Sequence, residues 1–317
     1  MSAATTLITT PTFARHAAEP WQLLADGGAG PVRPGEDTAL PPDELLRHLA
    51  DADALIVGMD TITAEVLDAA SKLKVVAKHG VGTDTIDLDA ARERGIPVVC
   101  APGTNSRAVA EYTFGLILDA TRGITASHTA VAAGGWPKHF GCELHGQNLG
   151  IVGFGRIGRL VAGYAHAFGL RVLAHDPHIP DDALRTAGAE PATLDALLAA
   201  ADLVTLHLPP AAAPLLTARR LAVMKPGAAL VNAARGGLVD ESALADALHS
   251  GHLSAAALDA FTTEPLPADH PLRTAPRTVL TSHMAACTPQ ANRAMGVTVA
   301  EDILRVLSGR EPLHPAS

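Results

Sequence analysis

The feature that most constrains what this chain can fold into is Gly153-Phe154-Gly155-Arg156-Ile157-Gly158, placed between an apolar run (LGIV, 149–152) and a stretch of helical spacing. The first glycine permits a tight turn, the second lets backbone approach a bound group closely, and the third lets helix and strand pack tightly. The helix start offers N–H groups and a partial positive charge, which suit a pyrophosphate. Alone, a glycine pattern is weak. Here a second apolar run (RVLAH, 171–175) leads to Asp176, eighteen positions beyond Gly158. A carboxylate there accepts both ribose hydroxyls of an adenosine half. The segment therefore predicts a βαβ unit that binds a dinucleotide. Asp176 also repels a 2′-phosphate, and Pro177-His178 supplies no arginine to reverse this, so NAD is favoured over NADP.

The rest of the chain repeats the same rhythm. At 317 residues it exceeds what one core usually supports. Strands are expected at 5–10, 53–58, 74–80 and 96–103, with helices at 42–52, 63–73 and 87–95, which predicts a small doubly wound domain. A long apolar helix is expected after Pro102-Gly103, with Asn105 or Ser106 as its cap, followed by a loop containing Trp136. Further strands are expected at 201–210, 228–235, 255–261 and 278–286, and a last helix at 289–309. The fold class is α/β with two parallel-sheet domains.

Composition narrows the partners. Hydrophobic residues make up 48% and charged ones 18%, ample for buried cores. A net charge of −9 gives no basic face for nucleic acid. No apolar stretch reaches the length of a membrane helix, and the N-terminus lacks the pattern of a secretory signal. Cys100, Cys142 and Cys287 read as reduced thiols, so a cytoplasmic location is expected. His175 and His178 imitate a metal pair, but nothing completes a ligand set, and no metal is expected.

A second constellation lies downstream. Arg235 follows an expected strand, and strand ends at the carboxyl edge of a parallel sheet face the ligand crevice. The planar guanidinium suits two-pronged recognition of a carboxylate. Glu264 follows the strand at 255–261 and His283 ends the strand TVLTS, so two strand ends of one sheet place an acid beside an imidazole. The carboxylate orients the ring, which then carries a substrate hydroxyl proton. Singly, Arg235 reads more readily as a surface residue in a glycine turn and His283 equally well as a structural histidine; together with Glu264 they read as a catalytic set.

These residues, with KHGVGTDTIDL (78–88), PGTNSRAVAEYTFGLIL (102–118), ELHGQNLGIVGFGRIG (143–158), NAARGGLVDESAL (232–244), ALDAFTTEP (257–265) and HMAACT (283–288), resemble the D-2-hydroxyacid dehydrogenase family, phosphoglycerate dehydrogenase-like branch, over nearly the whole chain. The resemblance implies a Rossmann NAD-binding domain (104–288) inserted into a flavodoxin-like substrate domain (1–103 plus 289–317). It implies that Arg235 binds the substrate carboxylate, that His283 is the acid/base and that Glu264 is its partner. It places Arg156 and Ile157 on the pyrophosphate, Asp176 on the ribose, and Ala233, Asp259, Arg235, His283 and Ala286 around the nicotinamide. Backbone N–H groups of Gly80-Val81-Gly82 would meet a small anionic 2-hydroxy or 2-keto acid. A homodimer built on the segment 112–148 is also implied.

The chain departs from the family pattern at Met284-Ala285-Ala286, where an aliphatic residue and then glycine are usual; Ala285 would tighten the wall near the nicotinamide. Lys78 and His79 either add positive charge beside the substrate or are simply solvated. The chain ends soon after its last helix, so the regulatory domain of longer relatives is not expected. Two alternatives stay open: oxidation of a phosphorus-bearing substrate, as in phosphite dehydrogenase, for which Lys78 is the matching lysine, and an NAD-sensing corepressor-like binding protein.

Overall fold

The computed structural model describes residues 4–35 and 42–316. The chain divides into two compact units, Met1–Asn105 with Cys287–Ser317, and Ser106–Ala286.

The first unit is built on a parallel sheet of β1 (Ala4–Ile8), β2 (Ala29–Val32), β3 (Ala54–Val57), β4 (Val75–Lys78) and β5 (Val98–Val99), in the order β2-β1-β3-β4-β5. This is a flavodoxin-like doubly wound order. Strands β3 and β4 are buried along their whole length, which is why ALIV and VVAK read as continuous rather than alternating apolar runs. Around the sheet lie α1 (Glu19–Asp26), α2 (Pro42–Leu49), α3 (Ala64–Asp68) and α4 (Leu88–Glu93). Thr63 and Asp87 cap α3 and α4 by accepting the Val66 and Ala90 N–H groups. The long C-terminal helix α12 (Pro289–Leu307) returns to this unit and packs on α1. Gly296 allows the approach, since a methyl group there would lie 2.7 Å from the Pro20 ring.

The second unit opens with α5 (Ser106–Arg122) and α6 (Ile124–Ala132), then alternates β6 (Asn148–Val152), α7 (Arg156–Ala167), β7 (Arg171–His175), α8 (Asp181–Thr186), β8 (Glu190–Pro191), α9 (Leu194–Ala200), β9 (Leu203–Leu206), α10 (Ala218–Val223), β10 (Ala229–Asn232), α11 (Glu241–His249), β11 (Ala255–Leu258) and β12 (Thr278–Leu280). The parallel sheet runs β12-β11-β10-β9-β6-β7-β8. Strand order reverses between β6 and β9, the switch point where open α/β sheets bind ligands outside the carboxyl ends of their strands. Leucines of α9, α10 and α11 (Leu197, Leu198, Leu221, Leu244, Leu248) cover one face, and Phe114, Ile117, Val161 and Ala165 of α5 and α7 cover the other.

Two expectations need correction. The single long helix after Gly103 is two helices, broken at Gly123, whose φ of +63° leaves the right-handed region. Asp119 stabilises the break, since its carboxylate reaches past it to accept the Thr125 N–H (2.8 Å). The strand expected over 278–286 stops at Leu280, because the residues beyond are drawn to a buried carboxylate described below.

In the first unit, His79 is buried beyond β4, its Nδ1 3.2 Å from the Thr12 hydroxyl and its Nε2 3.4 Å from the Asn292 carbonyl. Burial lowers its pKa from 6.5 to about 4. Between those values the unfolded chain binds a proton that the folded one does not. Stability is therefore full above pH 6.5 and falls as the pH drops to 4, by roughly 3 kcal/mol at 1.4 kcal/mol per unit. Urea midpoints at pH 7 and 4.5 will show this acid loss in the wild-type protein and a smaller one in His79→Gln; equal losses would refute the assignment.

Candidate active site

The glycine loop leaves β6 at the switch point. Gly153 has φ +90°, and a Cβ there would sit 2.3 Å from the His207 carbonyl oxygen, so only glycine fits. Gly158 packs equally closely on the Gly153 carbonyl, at 2.4 Å from where its own Cβ would be, which joins α7 to the turn. At Gly155, the residue before α7, a Cβ would meet nothing within 4 Å, so this side of the loop is open. Arg156 and Ile157 begin α7, with Arg156 exposed. Asp176 staples the loop to the end of β7. Its carboxylate accepts the Phe154 N–H (2.8 Å) and the His178 N–H (2.9 Å), one on each oxygen. Each oxygen keeps a second lone pair for a ribose hydroxyl.

On the other side of the switch point, Arg235 stands three residues past β10. Asn232, 1% exposed, shapes its turn: Oδ1 accepts the Ala234 N–H (3.1 Å) and Nδ2 donates to the Arg235 carbonyl (2.8 Å). The half-buried guanidinium donates through Nη1 to the Ala234 carbonyl (2.8 Å). Ala233 is half-buried at the end of the same strand.

Glu264 and His283 meet as the sequence implied. Nδ1 of His283 lies 3.0 and 2.9 Å from the two Glu264 oxygens, and Oε1 also accepts the Phe261 N–H (2.9 Å). The side chains are 38% and 25% exposed, so the pair is open to solvent on one side. With Nδ1 committed to the carboxylate, Nε2 is the ring nitrogen left to give or take a proton.

The histidine's backbone is unusual, with φ +52° at a residue that is not glycine. Such a conformation costs of order 1–3 kcal/mol and persists only where its surroundings impose it. Asp259 imposes it. Its carboxylate, 1% exposed, accepts the Thr281 hydroxyl (2.6 Å), the Met284 N–H (2.9 Å) and the Ala285 N–H (2.8 Å), gripping the loop on both sides of His283. The resemblance implied a place for Asp259 beside the nicotinamide carboxamide; the contacts it makes within the chain hold the histidine loop. Ala285 is buried on that carboxylate, and Ala286 is half-buried.

The first-unit candidates come out differently. Neither Lys78 nor His79 is solvated, each being 7% exposed. Lys78 donates to the Gly58 carbonyl, and His79, held neutral by burial, adds no charge near neutral pH. The Gly80 N–H is already turned onto the Lys78 carbonyl (2.8 Å), so of the three N–H groups expected to meet an anion the first is engaged. Val81 is exposed and Gly82 half-buried. Among the described residues no group of three His, Cys, Asp or Glu side chains is placed to hold a metal ion, and no helix is long and apolar enough to cross a membrane.

Sequence reasoning missed the groups that align the Arg235 turn with the Glu264 loop. A Cβ on Gly236 would lie 2.0 Å from both the carbonyl carbon and oxygen of Phe261, so the arginine turn and the Glu264 loop touch backbone to backbone. Thr262, Glu241 and His270 lie behind that contact. The Gly-Gly that follows Arg235 was the available signal. Gly236→Ala will force these backbones apart and cost about 1–3 kcal/mol in urea denaturation; a variant as stable as wild type would show that the contact is slack.

Comparisons with known proteins give the family. Residues 114–285 match the model of the D-isomer specific 2-hydroxyacid dehydrogenase, NAD binding domain. The chain is 44% identical over 278 residues to the D-3-phosphoglycerate dehydrogenase of Methanocaldococcus jannaschii, covering 86% of this chain and 53% of that one. It thus spans about half the length of the curated relatives it matches. Among solved structures, it is similar to the TT0316 protein of Thermus thermophilus, with a TM-score of 0.88 at 38% identity, covering 99% of this chain and 100% of that one. It is also similar to a glyoxylate reductase from Paecilomyes thermophila, with a TM-score of 0.87 at 29% identity, covering 100% and 99%. The second unit is therefore an NAD-binding domain, and the chain belongs to the D-isomer specific 2-hydroxyacid dehydrogenase family.

Proposed function

We propose that this chain is an NAD-dependent oxidoreductase acting at the alpha carbon of a small D-2-hydroxy or 2-keto acid, with 3-phosphoglycerate the first candidate. The observation that carries the reading is the Glu264–His283 pair on the same sheet edge as Arg235 and the glycine loop stapled by Asp176. The phosphate-bearing candidate rests on the similarity to phosphoglycerate dehydrogenases.

The residues present fit the cofactor. The open side at Gly155, the start of α7 and the remaining lone pairs of Asp176 supply, in turn, room, N–H donors and acceptors for a pyrophosphate and a ribose. When bound, the nicotinamide supplies or takes the hydride. Arg235 holds the substrate carboxylate and polarises the keto oxygen. His283 gives or takes the hydroxyl proton at Nε2, while Glu264 fixes the ring through Nδ1.

A reducing cytoplasm suits Cys100, Cys142 and Cys287, all of them thiols. A homodimer is supported by α6 and the loop after it, where Ile124, Trp136 and Phe140 are 57%, 79% and 94% exposed and no residue of α6 is buried. Light scattering at micromolar concentration should give twice the 32.6 kDa chain mass, and a stable monomer would overturn this.

A panel of D-2-hydroxy and 2-keto acids, with and without phosphate, assayed in both directions tests the activity. NAD(H) should be preferred over NADP(H) by at least about tenfold, or roughly 1.4 kcal/mol. His283→Ala should lower kcat by about 10²–10⁴-fold with little change in cofactor affinity. Arg235→Ala should impair both KM and kcat, because one contact binds and orients. A His283→Ala enzyme with near wild-type kcat would leave the scaffold without the assigned chemistry.

A further inference from the structure

A second carboxylate–histidine pair lies behind the first. Glu241 opens α11, where an acidic residue ordinarily serves the positive end of its own helix. Asp240 already fills that role as the cap, accepting the Ala243 N–H at 3.0 Å. The Glu241 carboxylate, 9% exposed, turns instead to residues distant in sequence. Its Oε1 accepts both the Thr262 N–H (2.7 Å) and the Thr262 hydroxyl (3.0 Å), and its Oε2 lies 3.0 Å from Nε2 of His270. His270 is itself directed, because its Nδ1 accepts the Leu272 N–H (3.3 Å) at the start of a 3-10 turn. The proton of the neutral ring is therefore on Nε2 and points at Glu241. Every link runs from donor to acceptor, as a buried carboxylate requires.

Thr262 is where the two catalytic loops join. Its hydroxyl oxygen also accepts the Gly237 N–H (3.1 Å), two residues past Arg235. The preceding residue, Phe261, donates its N–H to Glu264 and packs its carbonyl flush on Gly236. A shift of Thr262 would move the Arg235 turn and the Glu264 carboxylate relative to one another.

We propose that Glu241 is a positioning residue for the reaction: it holds Thr262, and through Thr262 it fixes the spacing between Arg235 and the Glu264–His283 pair. Its kinetic consequence rests on the dehydrogenase reading above, whereas its effect on the His283 ring does not.

The test uses the full chain with Glu241→Ala, Glu241→Gln and Thr262→Val, each checked for a cooperative thermal transition. Glu241→Ala should lower kcat by about tenfold or more with the KM for NAD nearly unchanged, since misplacement by about 1 Å costs up to 10²-fold. Glu241→Gln keeps an acceptor for Thr262 and should recover part of that loss. The ring signals of His283, read by ¹H–¹⁵N spectra of histidine-labelled protein and assigned with His283→Gln, should shift in Glu241→Ala and Thr262→Val without any substrate present. A role confined to stability would lower the melting temperature and leave those signals in place, which would overturn the proposal. If Glu241→Ala fails to fold, Thr262→Val decides, and unchanged His283 signals there would overturn it equally. Shifted signals in a protein that turns over no substrate on the panel would uphold the positioning and refute the dehydrogenase reading.

Discussion

Chain leaving the carboxyl edge of a parallel sheet has N–H groups with no strand to receive them, and the second unit answers this with side-chain acceptors. Asp176 takes the Phe154 N–H, Asn232 the Ala234 N–H, and Asp259 the N–H groups of Met284 and Ala285. The last matters most. An unpaired buried donor costs about 1–3 kcal/mol, so the Asp259 carboxylate and the loop define one another's position. That loop carries the one candidate catalytic residue with a left-handed backbone, His283. The strain at His283 is sustained by bonds made to its neighbours as well as by the contact of its ring with Glu264.

Close backbone approach is the second constraint. Gly153 against the His207 carbonyl and Gly236 against Phe261 bring loops from different strand ends nearer than any side chain would allow. The first contact shapes the dinucleotide loop, and the second sets the arginine turn beside the carboxylate that orients the histidine. Substrate chemistry of the proposed kind depends on such spacing, because proton and hydride transfers need their partners within hydrogen-bond or van der Waals reach.

In the first unit, the polar residues at the end of β4 are engaged in packing. His79 joins the end of β4 to Thr12 and to α12 through a neutral ring. Such a histidine is an acid-sensitive joint in the unit that also receives the C-terminal tail. There Asp302, fully buried, accepts the N–H groups of Leu313 and His314.

Much of the candidate site was legible in the sequence. The glycine spacing with Asp176 beyond it, the continuous apolar strands, and the order of Arg235, Glu264 and His283 are local patterns whose physical meaning does not depend on distant residues. They were enough for the fold class, for a dinucleotide-binding domain and for the meeting of Glu264 with His283. What the sequence did not show was set by contacts between segments far apart along the chain. Whether His79 is charged depends on the burial supplied by Thr12 and Asn292, and whether a helix runs through Gly123 depends on Asp119 bonding past it. Asp259 and Glu241 look like ordinary acids after a strand and at a helix start. Only the tertiary structure places each within reach of the backbone donors it holds, because a side-chain acceptor is directed by where the fold puts unpaired N–H groups, and no local pattern records that.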